Sequence, residues 1–274
     1  MFSNPISNTL GTVASLLMFV LCSAANAETL RIGGTGVALG GMTLLGDAFQ
    51  KQNPGTTIEV LPSLGSSGGV KALIAGAIDL SVTSRPLKDA EHAKGARARL
   101  YATTPLAIVT SSRTEAETIS TTELARMYAG EVTHWPSGQP VRLILRPTSE
   151  TDTQILRGLS DALSRAIDTA LKRPGLVMAA SDQENAQALE RLEGSLGAVA
   201  LGQIATEGRQ LKVLVHDGVL PMPGGLSAHG AIFTKSLYIV TTEHPSSLAS
   251  RFLEFVHSAE ARSILTSHDH TPAG

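Results

Sequence analysis

One stretch of the sequence, residues 58–87, constrains the fold most, because it predicts a strand, a loop and a helix in direct succession. β-Branched and apolar residues lead up to Pro62, which ends the predicted strand. Val70 and the apolar residues three and four positions later recur at helical spacing. Between them lies a loop of glycine and serine, residues 63–69, which leads into the helix.

This loop has the chemistry of an anion cradle. The start of a helix leaves backbone N–H groups unpaired and carries a partial positive charge. Glycines let an anion approach that backbone closely, and the hydroxyls of Ser66 and Ser67 add donors. A glycine-rich turn without a ligand is the alternative interpretation, and the loop by itself leaves both open.

The first 27 residues predict a secretory signal peptide. Residues 13–25 form an apolar run that is too short to span a membrane, and Ala-Asn-Ala at 25–27 is a small-x-small cleavage site. An uncleaved anchor is the alternative. Cys22, the only cysteine, lies in this segment, so we expect a mature chain without disulfides that depends on core burial for stability.

Composition disfavours nucleic acid as a partner. The formal net charge is −2, which gives no global basic field, and aromatic residues are only 4% of the chain. Alternating strand and helix patterns without a repeat predict an α/β fold. Ligands in such folds bind at the carboxyl ends of strands, and three loops are candidates: residues 33–40, 63–69 and 146–153.

Other motifs allow competing interpretations. Residues 65–69 match the G-x-S-x-G elbow of serine hydrolases, with Ser67 as nucleophile and Asp217 and His229 in the expected chain order. Too few strands precede this elbow for that fold. Residues 34–36 weakly resemble a dinucleotide loop.

A histidine-containing tail and the single tryptophan each allow a functional and a structural interpretation. Residues 268–270, His-Asp-His, could bind a metal ion, although a solvated tail is the more usual role. Trp135 could be a ligand platform, but a buried packing residue is the expected role.

Residues 64–71, 78–80 and 84–87 together resemble the periplasmic phosphate-binding proteins of ABC transporters, the PstS-like family. Further segments fit the same pattern in order, so that the resemblance covers nearly all of the chain after residue 27: residues 128–131 with Trp135, 197–201, 237–241, and 252–256 with Ser258.

The resemblance implies an α/β fold of the type II periplasmic binding class. Two α/β lobes would be joined by two hinge strands, with the ligand in the cleft between them. After a signal peptide at 1–27, residues 28–108 and 237–274 would form lobe 1, and residues 109–236 would form lobe 2. The chain would cross between the lobes near residues 106–110 and 236–241.

The resemblance also implies a function. The protein would capture a tetrahedral oxyanion, with phosphate as the first candidate, in the periplasm and pass it to the membrane permease of an ABC importer. It would act as a monomer, without a cofactor and without catalysis. Another oxyanion, or a membrane sensor in place of the permease, remains open, because a docking surface leaves no motif.

By the same resemblance, Ser66 and the backbone of Gly68 and Gly69 would hold the anion from one lobe, with backbone donors from residues 34–39. Arg146 would reach in from the other lobe, where its planar fork can bind two oxygens. The alternatives are a surface charge for Arg146 and a helix cap for Thr153. The expected ligand-binding residues are Thr35, Gly36, Leu39, Ser66, Ser67, Gly68, Ser84, Arg85, Arg146, Thr151 and Thr153.

The chain departs from the family pattern at three places. Ala38 stands where a threonine donor is usual, and Ser84 stands where a carboxylate accepts the proton of hydrogen phosphate. Glu150 and Asp152 replace glycines. These two carboxylates should repel an oxyanion unless they point away or pair with Arg85.

Overall fold

The computed structural model describes residue 1, residues 28–224 and residues 234–274. Most of the predicted signal peptide, residues 2–27, lies outside the described residues, as does His229. None of the helices in the described part of the chain is long and apolar enough to cross a membrane.

Strands and helices alternate along the described chain. The elements up to the long strand β4 are β1 (Glu28–Gly34), α1 (Gly36–Gln52), β2 (Thr56–Val60), α2 (Gly65–Ile74), β3 (Leu80–Thr83), α3 (Asp89–His92) and β4 (Arg97–Ser111). Those of the middle region are β5 (Thr118–Ile119), α4 (Thr121–Ala129), β6 (Arg142–Leu145), α5 (Thr151–Arg157), α6 (Asp161–Lys172), β7 (Val177–Met178), α7 (Asp182–Arg191), β8 (Ser195–Ala200), α8 (Leu201–Glu207), β9 (Leu211–Val213) and β10 (Val215–His216). The C-terminal elements are β11 (Thr234–Thr241), α9 (Ser247–Val256), α10 (Ala259–Thr266) and β12 (Thr271–Pro272).

The main sheet has the strand order β2-β1-β3-β11-β4-β8-β6-β7, and β9 and β12 also pair with β4. The strand β4 joins two halves of this sheet. It runs antiparallel to β11 from Arg97 to Pro105 and antiparallel to β8 from Leu106 to Val109. We call residues 28–105 with 234–274 the first half and residues 106–224 the second half. The lobe boundaries expected after residues 108 and 236 stay a prediction.

Each half has its own apolar core. In the first half, α1 and α9 pack on the sheet, and the rings of Phe49, Phe252 and Phe255 meet edge-on or tilted. In the second half, α4 and α6 pack together around Leu124 and Leu163. Trp135 is buried in that core and its indole N–H donates to the Gly194 carbonyl at 3.0 Å, so the expected packing role is confirmed.

The glycine segments differ from the expectation of loops. Helix α1 already begins at Gly36 and α2 at Gly65, so the two segments form the first turns of helices. Close packing explains the glycines. A Cβ on Gly69 would lie 2.6 Å from the Gly34 Cα, so only glycine lets α2 approach β1 this closely.

The apolar residues between 155 and 171 recur at helical spacing and predict one long helix. The structure divides it into α5 and α6, because Ser160 caps a new helix by accepting from the Leu163 N–H at 3.1 Å.

The C-terminal tail is packed rather than solvated, which corrects the expectation for residues 268–270. β12 pairs with β4, and the His270 side chain is buried, with its ring against Gly202 and Nδ1 2.7 Å from the His268 carbonyl oxygen. Among residues 28–224 and 234–274 there is no group of three or more His, Cys, Asp or Glu side chains that could hold a metal ion.

Burial lowers the pKa of His270 to about 4 from the ordinary 6.5, which predicts an acid-sensitive fold. Between these values the unfolded chain binds a proton that the folded chain does not. The free energy of unfolding should therefore fall by about 3 kcal/mol as the pH falls from 6.5 to 4. Urea denaturation across this pH range should show that His270→Gln removes this part of the fall in the free energy of unfolding. His92→Gln, at an exposed position, should retain it, and equal slopes for wild type and His270→Gln would contradict the assignment.

Candidate ligand-binding cleft

A cleft of about 950 Å³ lies between the two halves. This volume is near the upper end of the range of small-molecule pockets, roughly 300–1,000 Å³. The expected residues that line it are Leu39, Ser66, Ser67, Gly68, Ser84, Arg85, Arg146 and Thr151. Thr35, Gly36 and Thr153 are not among its lining residues.

Four hydroxyl groups meet at one side of the cleft, and we call them the hydroxyl cluster. The Ser84 Oγ lies 3.4 Å from the Thr35 Oγ1, 3.4 Å from the Ser66 Oγ and 3.3 Å from the Thr151 Oγ1. Thr151 comes from the second half and the other three from the first, so the cluster joins the two halves. These separations exceed the 2.5–3.0 Å typical of O–H···O bonds, so the hydroxyls hold one another weakly.

The N-terminus of α2 borders this cluster. Ser66, Ser67 and Gly68 are the second to fourth residues of the helix and line the cleft. Its N-cap residue, Leu64, gives no side-chain hydrogen bond to the helix. The first turn of α2 therefore brings backbone N–H donors and the partial positive charge of a helix start to the cleft.

Five charged side chains form a second cluster, which we call the ionic cluster: Arg146, Glu150, Asp152, Asp182 and Lys235. The Arg146 Nη2 donates to Glu150 at 3.0 Å and to Asp182 at 3.2 Å. The Lys235 Nζ pairs with Asp152 and lies 3.8 Å from an Asp182 oxygen. Lys235 is only 2% exposed, so it is a buried cation between carboxylates.

The pKa values in the ionic cluster follow from these contacts. Burial opposes ionisation of Asp182, but Lys235 and Arg146, with hydrogen bonds from Val37 and Thr35, hold the pKa of this carboxyl below its usual value. Burial also opposes the charge on Lys235, and the nearby carboxylates of Asp152 and Asp182 raise its pKa. The pKa of Glu150 is raised, chiefly by burial.

The ion pairs of Glu150 and Asp152 differ from the pairing with Arg85 that the sequence left open. Glu150 pairs with Arg146, and Asp152 pairs with Lys235, so neither pairs with Arg85. Two cations and three carboxylates leave one net negative charge when all five are ionised. An oxyanion would therefore be held here by directed donors rather than by net charge.

Arg85 is held by a different partner. Its guanidinium donates to both oxygens of Glu91, at 2.8 and 2.7 Å, and this contact lowers the pKa of Glu91. It also donates to the Ser67 Oγ at 3.0 Å. Since an arginine cannot accept a proton, this neighbour does not activate Ser67 as a nucleophile. Asp217 accepts from the Thr121 N–H and hydroxyl.

Thr153 differs from its expected role as a ligand donor. Its hydroxyl is buried and donates to the Arg146 carbonyl at 3.2 Å, so it supports the backbone of that arginine. It is not the helix cap either, because Glu150 occupies the N-cap position of α5.

The sequence patterns do not single out Asp182 or Lys235, although both belong to the ionic cluster. The serine before Asp182 starts a capping box with Glu184, which signals a helix start but no ligand. Lys235 was detectable as a lone lysine beside the expected crossing at 236–241. A charged residue in a strand that joins two lobes is expected to have a buried partner.

Comparison with known proteins identifies the family. A family model described as the PBP superfamily domain matches residues 22–260. The chain belongs to the PBP superfamily. Among solved structures, this superfamily member resembles a substrate-binding protein from Clostridium perfringens that was solved with bound phosphate and is assigned to phosphate ABC transporters. The TM-score is 0.73 at 17% identity, covering 90% of this chain and 100% of that one. The expected type II periplasmic binding fold is confirmed.

Curated relatives support the same family. The phosphate-binding protein PstS of Borreliella burgdorferi is 21% identical over 92% of this chain and 93% of its own length. The phosphate-binding protein PstS 2 of Streptococcus agalactiae is 30% identical over 34% of this chain. That alignment spans about a third of the relative, 32% of its length. The resemblance to PstS-like members of the PBP superfamily is confirmed.

Proposed function

We propose that the protein binds a tetrahedral oxyanion in the cleft, with phosphate as the first candidate, and delivers it to the membrane permease of an ABC importer. The observation that carries this proposal is the hydroxyl cluster, where Ser66 and Ser84 of the first half face Thr151 of the second. Hydroxyls from both sides, the start of α2 and the Arg146 guanidinium supply donors to several oxygens of one anion.

The remaining assignments follow from this role. We propose that the two halves are the lobes that close on the ligand, that the chain is exported with cleavage after Ala27, and that it acts in the periplasm as a monomeric, non-catalytic carrier. Similarity to phosphate-binding proteins, one of them assigned to phosphate ABC transporters, supports a transport role, and a membrane sensor is the alternative partner. The intact mass of the protein recovered from the periplasmic fraction checks the cleavage site.

A melting-temperature screen tests the ligand class. A ligand at one hundred times its dissociation constant should raise the free energy of unfolding by about 2.7 kcal/mol. Phosphate, sulfate, arsenate, molybdate and tungstate form the panel, and chloride at equal ionic strength is the control. We expect phosphate to raise the melting temperature. If none of the five anions shifts it, the proposed function is wrong.

Ser84 should set how sharply phosphate is distinguished from sulfate. A serine hydroxyl can donate or accept, so it tolerates either anion, whereas a carboxylate favours an anion that carries a proton. Calorimetric titration at matched pH and salt should show that Ser84→Asp lowers sulfate affinity about tenfold more than phosphate affinity. Ser84→Asn is the uncharged control.

A wild-type protein that binds phosphate tightly and ignores sulfate would contradict this role of Ser84. Another group would then accept the phosphate proton. Glu150, which lines the cleft and has a raised pKa, would be the first to test, with Glu150→Gln.

A further inference from the structure

Asp182 of the second half is bound to the N-terminus of α1 in the first half. Its Oδ2 accepts from the Val37 N–H at 3.0 Å and from the Thr35 hydroxyl at 3.3 Å. Its Oδ1 accepts from Arg146 at 3.2 Å and lies 3.8 Å from the Lys235 Nζ. One carboxylate thus holds a helix N-terminal amide, a hydroxyl and two cations, which are groups that bind oxyanions.

The position of Asp182 relative to the cleft is equally informative. Asp182 lines the cleft, and its carboxylate accepts from Thr35 and Val37, which do not line it. The contact is close, because a Cβ on Gly36 would lie 2.9 Å from the Asp182 carboxylate. The neighbouring Gln183 donates to the Gly36 carbonyl at 3.0 Å and strengthens the same link.

We propose that Asp182 is an internal anion, which occupies the oxyanion donors of the ligand-free cleft and is displaced when an oxyanion binds. This inference rests on the proposed function. Asp182 would hold the two halves together in the absence of a ligand. The apparent affinity for the ligand would then equal the intrinsic affinity multiplied by the fraction of molecules in which Asp182 is released.

Displacement also predicts the charge of the ligand. Exchanging a singly charged carboxylate for a doubly charged oxyanion strengthens the interaction with Arg146 and Lys235. Exchange for a singly charged anion gives no such gain, because the incoming anion and the displaced carboxylate carry the same charge. The site should therefore select doubly charged oxyanions, such as hydrogen phosphate, over nitrate.

Asp182→Asn keeps the size of the side chain and removes its charge. Calorimetry should show that this variant binds phosphate about tenfold or more tightly than wild type, because the competitor is weakened. Nitrate binding should become measurable. Asp152→Asn is the matched control, since it removes a charge from the same ionic cluster but leaves Val37 and Thr35 bound to Asp182. The increase in phosphate affinity for Asp152→Asn should be at least several-fold smaller than the increase for Asp182→Asn.

The outcomes separate this inference from the proposed function. If wild type binds phosphate and Asp182→Asn binds it no better, or if Asp152→Asn gains as much, the inference is wrong and the function stands. If only Asp182→Asn binds, the inference is supported and the function of the wild type is not. If neither protein binds any oxyanion, both are wrong.

A measurement on the wild type decides the question if Asp182→Asn fails to fold. The NMR resonances of the Val37 amide and the Asp182 carboxyl carbon should both move when phosphate is added. If phosphate binds and neither resonance moves, Asp182 stays in place and the inference is wrong.

Discussion

Replacing Lys235 by methionine is expected to lower the free energy of unfolding by about 3–5 kcal/mol. The side chain is buried at the start of β11 and pairs with Asp152, which is also buried. Methionine fills a similar volume but leaves Asp152 without its cation. Of the two cations in the ionic cluster, only Arg146 would then remain near Asp182. Breaking a buried ion pair costs this much because the remaining charge is uncompensated. Urea denaturation with linear extrapolation measures the change.

Two further variants make this result specific. Lys212→Met removes a lysine that pairs with Glu117 at 2.9 Å, where the glutamate side chain is 78% exposed, and should cost about 0–1 kcal/mol. The double variant Lys235→Met, Asp152→Leu removes both charges and should recover part of the loss. If Lys235→Met costs no more than Lys212→Met, Lys235 is not the compensating charge of the ionic cluster.

Arg146→Ala is expected to reduce phosphate affinity about a hundredfold or more, so that phosphate no longer raises the melting temperature. Arg146 lines the cleft, and its Nε is buried without a hydrogen-bond partner in the described part of the chain. Calorimetry on variants whose circular dichroism is that of wild type measures the effect. Arg146→Lys keeps the charge but loses the planar fork, so an intermediate affinity is expected.

Arg157→Ala is the matched control for this experiment. Arg157 ends α5 and pairs with Asp168 on α6. It is not among the residues that line the cleft, so phosphate affinity should stay at the wild-type value. A folded Arg146→Ala protein that binds phosphate as wild type does would exclude the guanidinium as an anchor.

Local sequence patterns predict those cleft residues that are positioned by elements close to them in the chain. Ser66, Ser67 and Gly68 reach the cleft because a strand, a turn and a helix follow one another within 30 residues, and short-range patterns indicate all three. The same holds for Thr151, which lies in the candidate loop 146–153 and begins α5.

The ionic cluster depends on long-range contacts that no local pattern shows. Asp182 contacts Val37 across 145 positions of the chain, and Lys235 meets Asp152 only because the strand β11 returns to the joint between the halves. Glu150 and Asp152 were visible as acidic residues in a ligand loop, but their partners depend on how the halves pack. Local patterns therefore indicate several residues that line the cleft, such as Ser66 and Arg146, but not the carboxylate of Asp182 that accepts from Thr35 and Val37.

Oxyanion binding in the cleft is tested most directly by isothermal titration calorimetry of the wild-type protein after dialysis free of phosphate. We expect phosphate to bind at a single site per chain, with heat that saturates at one equivalent. Absence of binding heat for phosphate, sulfate, arsenate, molybdate and tungstate at several temperatures would contradict the assignment of this cleft as an oxyanion site.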